Sequence, residues 1–168
     1  MNQKKVILTG VITALTAVVT RVIQIPTPLT GGYINLGDII IIFAGFYLGS
    51  RTGAIVGGIG SAIADILSGY PFYFMTLIIK GLEGAMAGLP IFSFREDKSD
   101  AENEARLLSA GVCAALLMVA GYFVMQIFIF GIPKALSSLI PNGIQGAAGV
   151  FGALLLFRKK VGRHISRK

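Results

Sequence analysis

Phe72–Leu89 reads FYFMTLIIKGLEGAMAGL, an apolar run with Lys80 and Glu83 in its second half. A bilayer-spanning helix needs roughly 20 such residues. A lysine or an acid at the bilayer centre costs on the order of 2.5–3.5 kcal/mol. A chain keeps both only where they are paired, face a polar cavity, or both. Three residues apart, they share a helix face and are placed to form an ion pair. Asp38 and Asp65 sit in equally apolar stretches. Together the four predict a polar pocket or path inside a small integral membrane protein.

Composition agrees. The 168 residues are 54% hydrophobic and only 14% charged, with a mean hydropathy of +0.77. One soluble core cannot hide that much apolar surface. The expected fold is an all-α integral membrane protein, a single domain of six transmembrane helices with both termini cytoplasmic. The expected spans are 6–25, 37–48, 52–67, 72–89, 107–130 and 142–157. Pro26 and Pro28 stop the first, and 27–36 reads as a polar, Gly-rich loop. Residues 90–106 hold most of the acids and form a cytoplasmic linker, with room for a short surface helix. Residues 131–141 read as a loop, with 135–139 open to helix. No internal repeat is visible, which weighs against inverted-repeat carriers.

The net charge of +7 does not imply nucleic acid, because the basic residues gather at helix ends. With six spans, Lys4, Lys5, Arg51, Arg95, Lys98, Arg106 and the tail residues Arg158, Lys159, Lys160, Arg163, Arg167 and Lys168 fall on one side. Lys134 and Arg21 fall on the other. The positive-inside rule makes the first side cytoplasmic. Lys4 and Lys5 precede a long apolar run with no small-residue cleavage site before Arg21, so no cleaved signal is expected. Cys113, a lone cysteine in an apolar run, reads as filler.

The outward half and its loops collect polar and aromatic groups: Tyr33, Asn35, Tyr70, Tyr122, Gln126, Asn142 and Gln145. With Lys80 and Glu83 they form the candidate binding set for a flat, uncharged, hydrogen-bonding molecule. Asp65 is a possible third member through Lys80. Asp38, just after Gly37, reads first as a helix N-cap. Tyr70 also suits an interfacial belt, and Asn142 with Gln145 also suits interhelical hydrogen bonding. Small residues recur at Gly53, Gly57 and Ser61, and at Gly10, Ala14 and Ala17. Such faces let helices approach closely, within the chain or against a partner membrane protein. The chain has no Walker A loop, no G-x-S-x-G and no H-E-x-x-H. No catalytic residue, metal or cofactor is expected, and an enzyme is disfavoured.

Three stretches in order are Gly32-Tyr33-Ile34-Asn35-Leu36-Gly37-Asp38, Gly57-Gly58-Ile59-Gly60-Ser61-Ala62-Ile63-Ala64-Asp65 and Leu77-Ile78-Ile79-Lys80-Gly81-Leu82-Glu83-Gly84. They resemble the substrate-capture (S) component of energy-coupling factor (ECF) vitamin transporters, in the riboflavin-type family. The resemblance covers about 6–157. It implies a bacterial plasma-membrane protein that binds one vitamin at the outward side of a six-helix bundle, with 26–36 as gate. It also implies a membrane-embedded coupling protein and two ATPases as partners, and toppling of the S component to deliver its cargo. The family's alanine-x-x-x-alanine docking motif becomes Gly10-x-x-x-Ala14-x-x-x-Val18 here, or Ala14 with Ala17. The first stretch looks most like members assigned to hydroxymethylpyrimidine, a thiamine precursor. Pyridoxine and then riboflavin rank behind it. The competing reading is a standalone small-molecule carrier or channel.

Overall fold

The structure is a computed structural model, and it describes residues 3–28 and 32–165. Part of the expected gate loop, 29–31, lies outside the described residues, as do the tail cations Arg167 and Lys168. Six helices follow in order: α1 (Gln3–Val22), α2 (Gly37–Leu48), α3 (Ser50–Ser68), α4 (Tyr73–Ala87), α5 (Asp100–Phe130) and α6 (Ile132–Ile165). A two-stranded antiparallel hairpin, β1 (Gln24–Thr27) with β2 (Gly32–Asn35), joins α1 to α2. The all-helical expectation holds, with this hairpin as an addition.

Three of the six helices are long and apolar enough to cross a bilayer: α1, α5 and α6 as far as Lys159. At 1.5 Å per residue, the 12 residues of α2 reach about 18 Å and the 15 of α4 about 22 Å. Both fall short of a hydrocarbon core of about 30 Å. They sit among longer neighbours. α3 lies against α4 and α1, α5 against α6 and α4, and α2 between α3, α4 and α6. Large apolar side chains point outward around the bundle, among them Val11, Ile66, Phe128, Ile140 and Phe151. That is the surface lipid would cover.

Close backbone approach holds α3 to α4. A Cβ on Gly57 would overlap the Lys80 carbonyl oxygen, and one on Gly53 would overlap that of Gly84. Gly49 and Gly69, at φ +86° and +71°, make the turns on either side of α3, a backbone region open to glycine. Toward the α2 C-terminus lies the main apolar core. Phe46, Leu107 and Phe157 are fully buried there among Ala110, Ala114 and Ala153.

Two boundaries differ from expectation. α5 starts at Asp100, so the end of the charged linker is its first turns. Ser99 and Glu102 form a capping box, with the Ser99 N–H donating to Glu102 Oε2 at 2.9 Å. That contact, and then the Ser99 hydroxyl, hold the Glu102 carboxyl below its ordinary range. The expected 131–141 loop, open to helix only over 135–139, is helical from Ile132 on. α6 begins right after Gly131 and runs through Pro141. Pro133 lies in its first turn, where a missing N–H removes no intrahelical bond. The Ser137 and Ser138 hydroxyls donate to the carbonyls of Lys134 and Ala135, adding bonds in the stretch that leads into Pro141.

Candidate functional site

The hairpin, the turn between α3 and α4, and the first half of α6 close over one end of the bundle. Beneath them lies a cavity of about 50 Å³. Its walls are polar and aromatic. Tyr33 and Asn35 come from the hairpin, Tyr70 from the turn, and Ser61 and Asp65 from α3. Thr76 and Lys80 come from α4, Tyr122 and Gln126 from α5, and Asn142 and Gln145 from α6. Thr20 of α1 completes the ring. Eight of the nine expected binding residues therefore meet in one place. Glu83 is the exception: it is fully buried, one turn beyond Lys80, and does not line the cavity.

A buried ion-pair network forms the floor. Lys80 Nζ donates to Asp38 Oδ1 at 2.5 Å and to Glu83 Oε2 at 2.9 Å. Gln145 Nε2 donates to Asp38 Oδ2 at 3.1 Å. Gln145 Oε1 accepts from the Asn35 backbone N–H at 2.9 Å and from its side chain at 3.1 Å. Asn35 Oδ1 in turn accepts from the Gly37 N–H at 2.8 Å. One polar chain thus runs from α4 through α2 and α6 to the hairpin. Burial of five charged or amide groups is tolerable only with this degree of pairing.

The network corrects the reading of Asp38. It lies in the first turn of α2, but the helix takes no side-chain cap from it. The nearby oxygen that meets the Gly37 N–H belongs to Asn35. Asp38 is instead the closer of Lys80's two carboxylates. Small residues make this possible. A Cβ on Gly149 would lie 2.7 Å from that of Asp38, so glycine there brings α6 near enough for Gln145 to reach across.

Asp65 is not bonded to Lys80. Its Oδ1 accepts the Tyr33 hydroxyl, which fastens the hairpin to α3. Burial, and then Asp65 itself, push the Tyr33 phenol far above its ordinary value. It stays protonated and is the donor. Tyr33 also meets Tyr70 edge to face at 6.2 Å, a favourable aromatic geometry. The Lys80 ammonium lies 5.9 Å from the centre of the Tyr122 ring, and the Tyr122 hydroxyl is 3.3 Å from Thr76 Oγ1.

Thr20 and Thr76 were missed by sequence reading. Both are buried threonines facing the cavity. The signal was present in α1, where Thr9, Thr13, Thr16 and Thr20 recur on one buried stripe.

The expected docking residues divide. Gly10 and Ala14 are exposed on α1, and a Cβ on Gly10 would meet nothing within 4 Å. Ala17, Gly53, Gly57 and Ser61 are buried. Gly53 and Gly57 face α4, and Ser61 faces the cavity. The small face of α3 is taken up by contacts within this chain, because α4 must come close enough to seat Lys80. It is not an outward surface.

Comparison with known proteins bears on what the cavity serves. Residues 1–161 match the family described as ECF-type riboflavin transporter, S component. The thiamine precursor transporter HmpT of Lactococcus lactis is 34% identical over 157 residues, covering 92% of this chain and 86% of that one. An uncharacterized protein from the gap 3' region of Pyrococcus woesei is 33% identical over 149 residues, 86% of this chain and 95% of its own. The crystal structure of FolT bound with folic acid has the same fold. Its TM-score is 0.54 at 21% identity, over 91% of this chain and 93% of that one. A transport protein of the membrane, not an enzyme, is what these relationships describe. The chain belongs to the S-component family of ECF-type transporters.

Proposed function

We propose that this S component captures a small vitamin or vitamin precursor, with hydroxymethylpyrimidine first and pyridoxine and riboflavin behind it. In this reading all six helices serve as spans, the short α2 and α4 included, and both termini are cytoplasmic. The cavity then opens at the outward end of the bundle in a bacterial plasma membrane. The cargo is delivered through a membrane-embedded coupling protein driven by two ATPases.

The observation that carries the reading is the cavity under the hairpin, with its tyrosines and side-chain amides. A buried water needs roughly 10–15 Å³ measured this way, and its share of liquid is about 30 Å³. About 50 Å³ therefore corresponds to roughly four waters, or about 120 Å³ of displaced liquid. That is the bulk of one substituted six-membered ring. A three-ring flavin would require the hairpin and its neighbours to move apart. The relative HmpT, whose name states a thiamine precursor, points the same way.

Native mass spectrometry of the purified chain against a panel of B vitamins and their precursors tests the proposal. One bound pyrimidine is the expected result. Binding of none of the panel, together with flux through liposomes that contain this chain alone, would replace it with a standalone carrier.

A further inference from the structure

Four buried polar atoms make no hydrogen bond and belong to residues that line the cavity: Thr20 Oγ1, Ser61 Oγ, Asp65 Oδ2 and Gln126 Oε1, with the Thr76 hydroxyl also beside the Asp65 carboxylate. Their residues are only 2–6% exposed. Groups buried this far are ordinarily paired, and each one left alone costs free energy. The threonine and serine hydroxyls turn freely and can give or accept. The other two are not free in this way. Ionised, the Asp65 carboxylate accepts the Tyr33 hydroxyl on Oδ1 and can only accept on Oδ2, as can the carbonyl oxygen of a side-chain amide.

We propose that the cargo presents N–H donors to Asp65 and Gln126, so that the site selects an amino-substituted heterocycle over its oxo or hydroxyl counterpart. The inference rests on the capture reading and goes further, because it fixes which face of the ring meets α3 and α5. An oxo oxygen turned toward Asp65 would set acceptor against carboxylate with no proton between them. A carboxylate-bearing cargo would add like charge. Lys80 meets the remaining need. Its ammonium has three N–H groups, and two carboxylates engage it. The third is available to a ring nitrogen of the same cargo. Acceptors on α3 and α5 with a donor on α4 match the alternation of amine and ring nitrogen along the edge of an aminopyrimidine.

The test compares hydroxymethylpyrimidine with the compound in which an oxo group replaces its exocyclic amine. Binding of each to the full chain is measured by titration calorimetry in detergent. Sites that hydrogen-bond a particular group reject analogues lacking it by large factors, and a preference of about 100-fold or more for the amine is expected. In Asp65→Asn the amide can both give and accept, and the preference should collapse, with the oxo compound gaining in absolute affinity. Should Asp65→Asn fail to fold, the wild-type comparison decides alone. Equal affinity of the wild-type chain for the two compounds overturns this inference and leaves the capture reading standing. Binding of neither compound, nor of any vitamin in the wider panel, overturns both.

Discussion

Lys80 holds one positive charge against two carboxylates, and that imbalance makes the three residues unequal. Asp38 has Lys80 on one oxygen and Gln145 on the other. Glu83 has Lys80 on Oε2 and nothing on Oε1. Removing Lys80 strands two buried acids, a loss of about 3–5 kcal/mol by analogy with broken buried pairs. Lys80→Met should therefore lower the unfolding midpoint in detergent more than Lys80→Met combined with Asp38→Asn. Glu83→Gln should be the mildest of the single changes. Equal losses for the single and double variants would show that the pair contributes nothing. A second expectation concerns Tyr33. Its hydroxyl bond to a carboxylate belongs to a class worth about 1.5–3 kcal/mol, and it fastens the hairpin over the cavity. Tyr33→Phe should lower the unfolding midpoint and raise the cargo dissociation rate about tenfold or more; an unaltered rate would mean the hairpin is held by other contacts. Sequence spacing made the Lys80–Glu83 pair legible, because i,i+3 is local. It could not reveal Lys80–Asp38, whose partners lie 42 residues apart on different helices. Asp38 next to Gly37 also looked like a cap, while Asn35 was supplying the bond to Gly37.

At the level of elements, α3 and α4 pack against each other more extensively than any other pair. Their glycines are not equivalent. A Cβ on Gly57 would strike the backbone carbonyl of Lys80, which cannot give way without moving the ammonium at the head of the network. A Cβ on Gly81 meets its nearest atom, the Ala54 carbonyl oxygen, at 3.6 Å, an ordinary contact. Gly57→Ala should therefore cost about 1–3 kcal/mol, as overpacking does, and weaken cargo binding with it. Gly81→Ala should be neutral or stabilising by up to about 1 kcal/mol, since alanine favours helix over glycine. Paired thermal unfolding curves of the two variants check this, and similar losses would refute the close approach. The helical bodies of α2, α3 and α4 were legible from their apolar runs and from the turn glycines Gly49 and Gly69. The hairpin was not, because Pro26 and Pro28 with the Gly-rich stretch spell loop, and only β1–β2 pairing turns Ile25, Tyr33 and Ile34 into strands. The first turns of α6 were lost for the opposite reason. Pro141 usually ends a helix, and here α6 runs through it.

The whole molecule sets an outer surface of two kinds against a polar interior at one end. On α1, Gly10 and Ala14 lie exposed beside Val11 and Val18, which are 60% and 57% exposed. On α5, Phe128 is 85% exposed. Both faces are apolar, and lipid would wet either. They differ in relief. A face of glycine and alanine is shallow, and lets another helix come close enough for backbone contact; a phenylalanine holds it off. If the exposed part of α1 is where the coupling protein docks, Ala14→Trp should abolish co-purification with that protein. Cargo affinity of the isolated chain should be unchanged, since Ala14 is exposed and does not line the cavity. Phe128→Trp, which places the same indole on an exposed part of α5, should leave both intact. Loss of assembly in both variants would mean that general membrane fit is being read rather than docking. Retention in both would assign the α1 face to lipid and move the search for the docking surface elsewhere. The small stripes on α1 and α3 were equally visible in the sequence. What the sequence lacked was their orientation: α3 turns its glycines toward α4 to seat Lys80, and α1 turns its threonines inward toward α3 and the cavity. Only Gly10 and Ala14 are left facing out, so a docking test has to be made there.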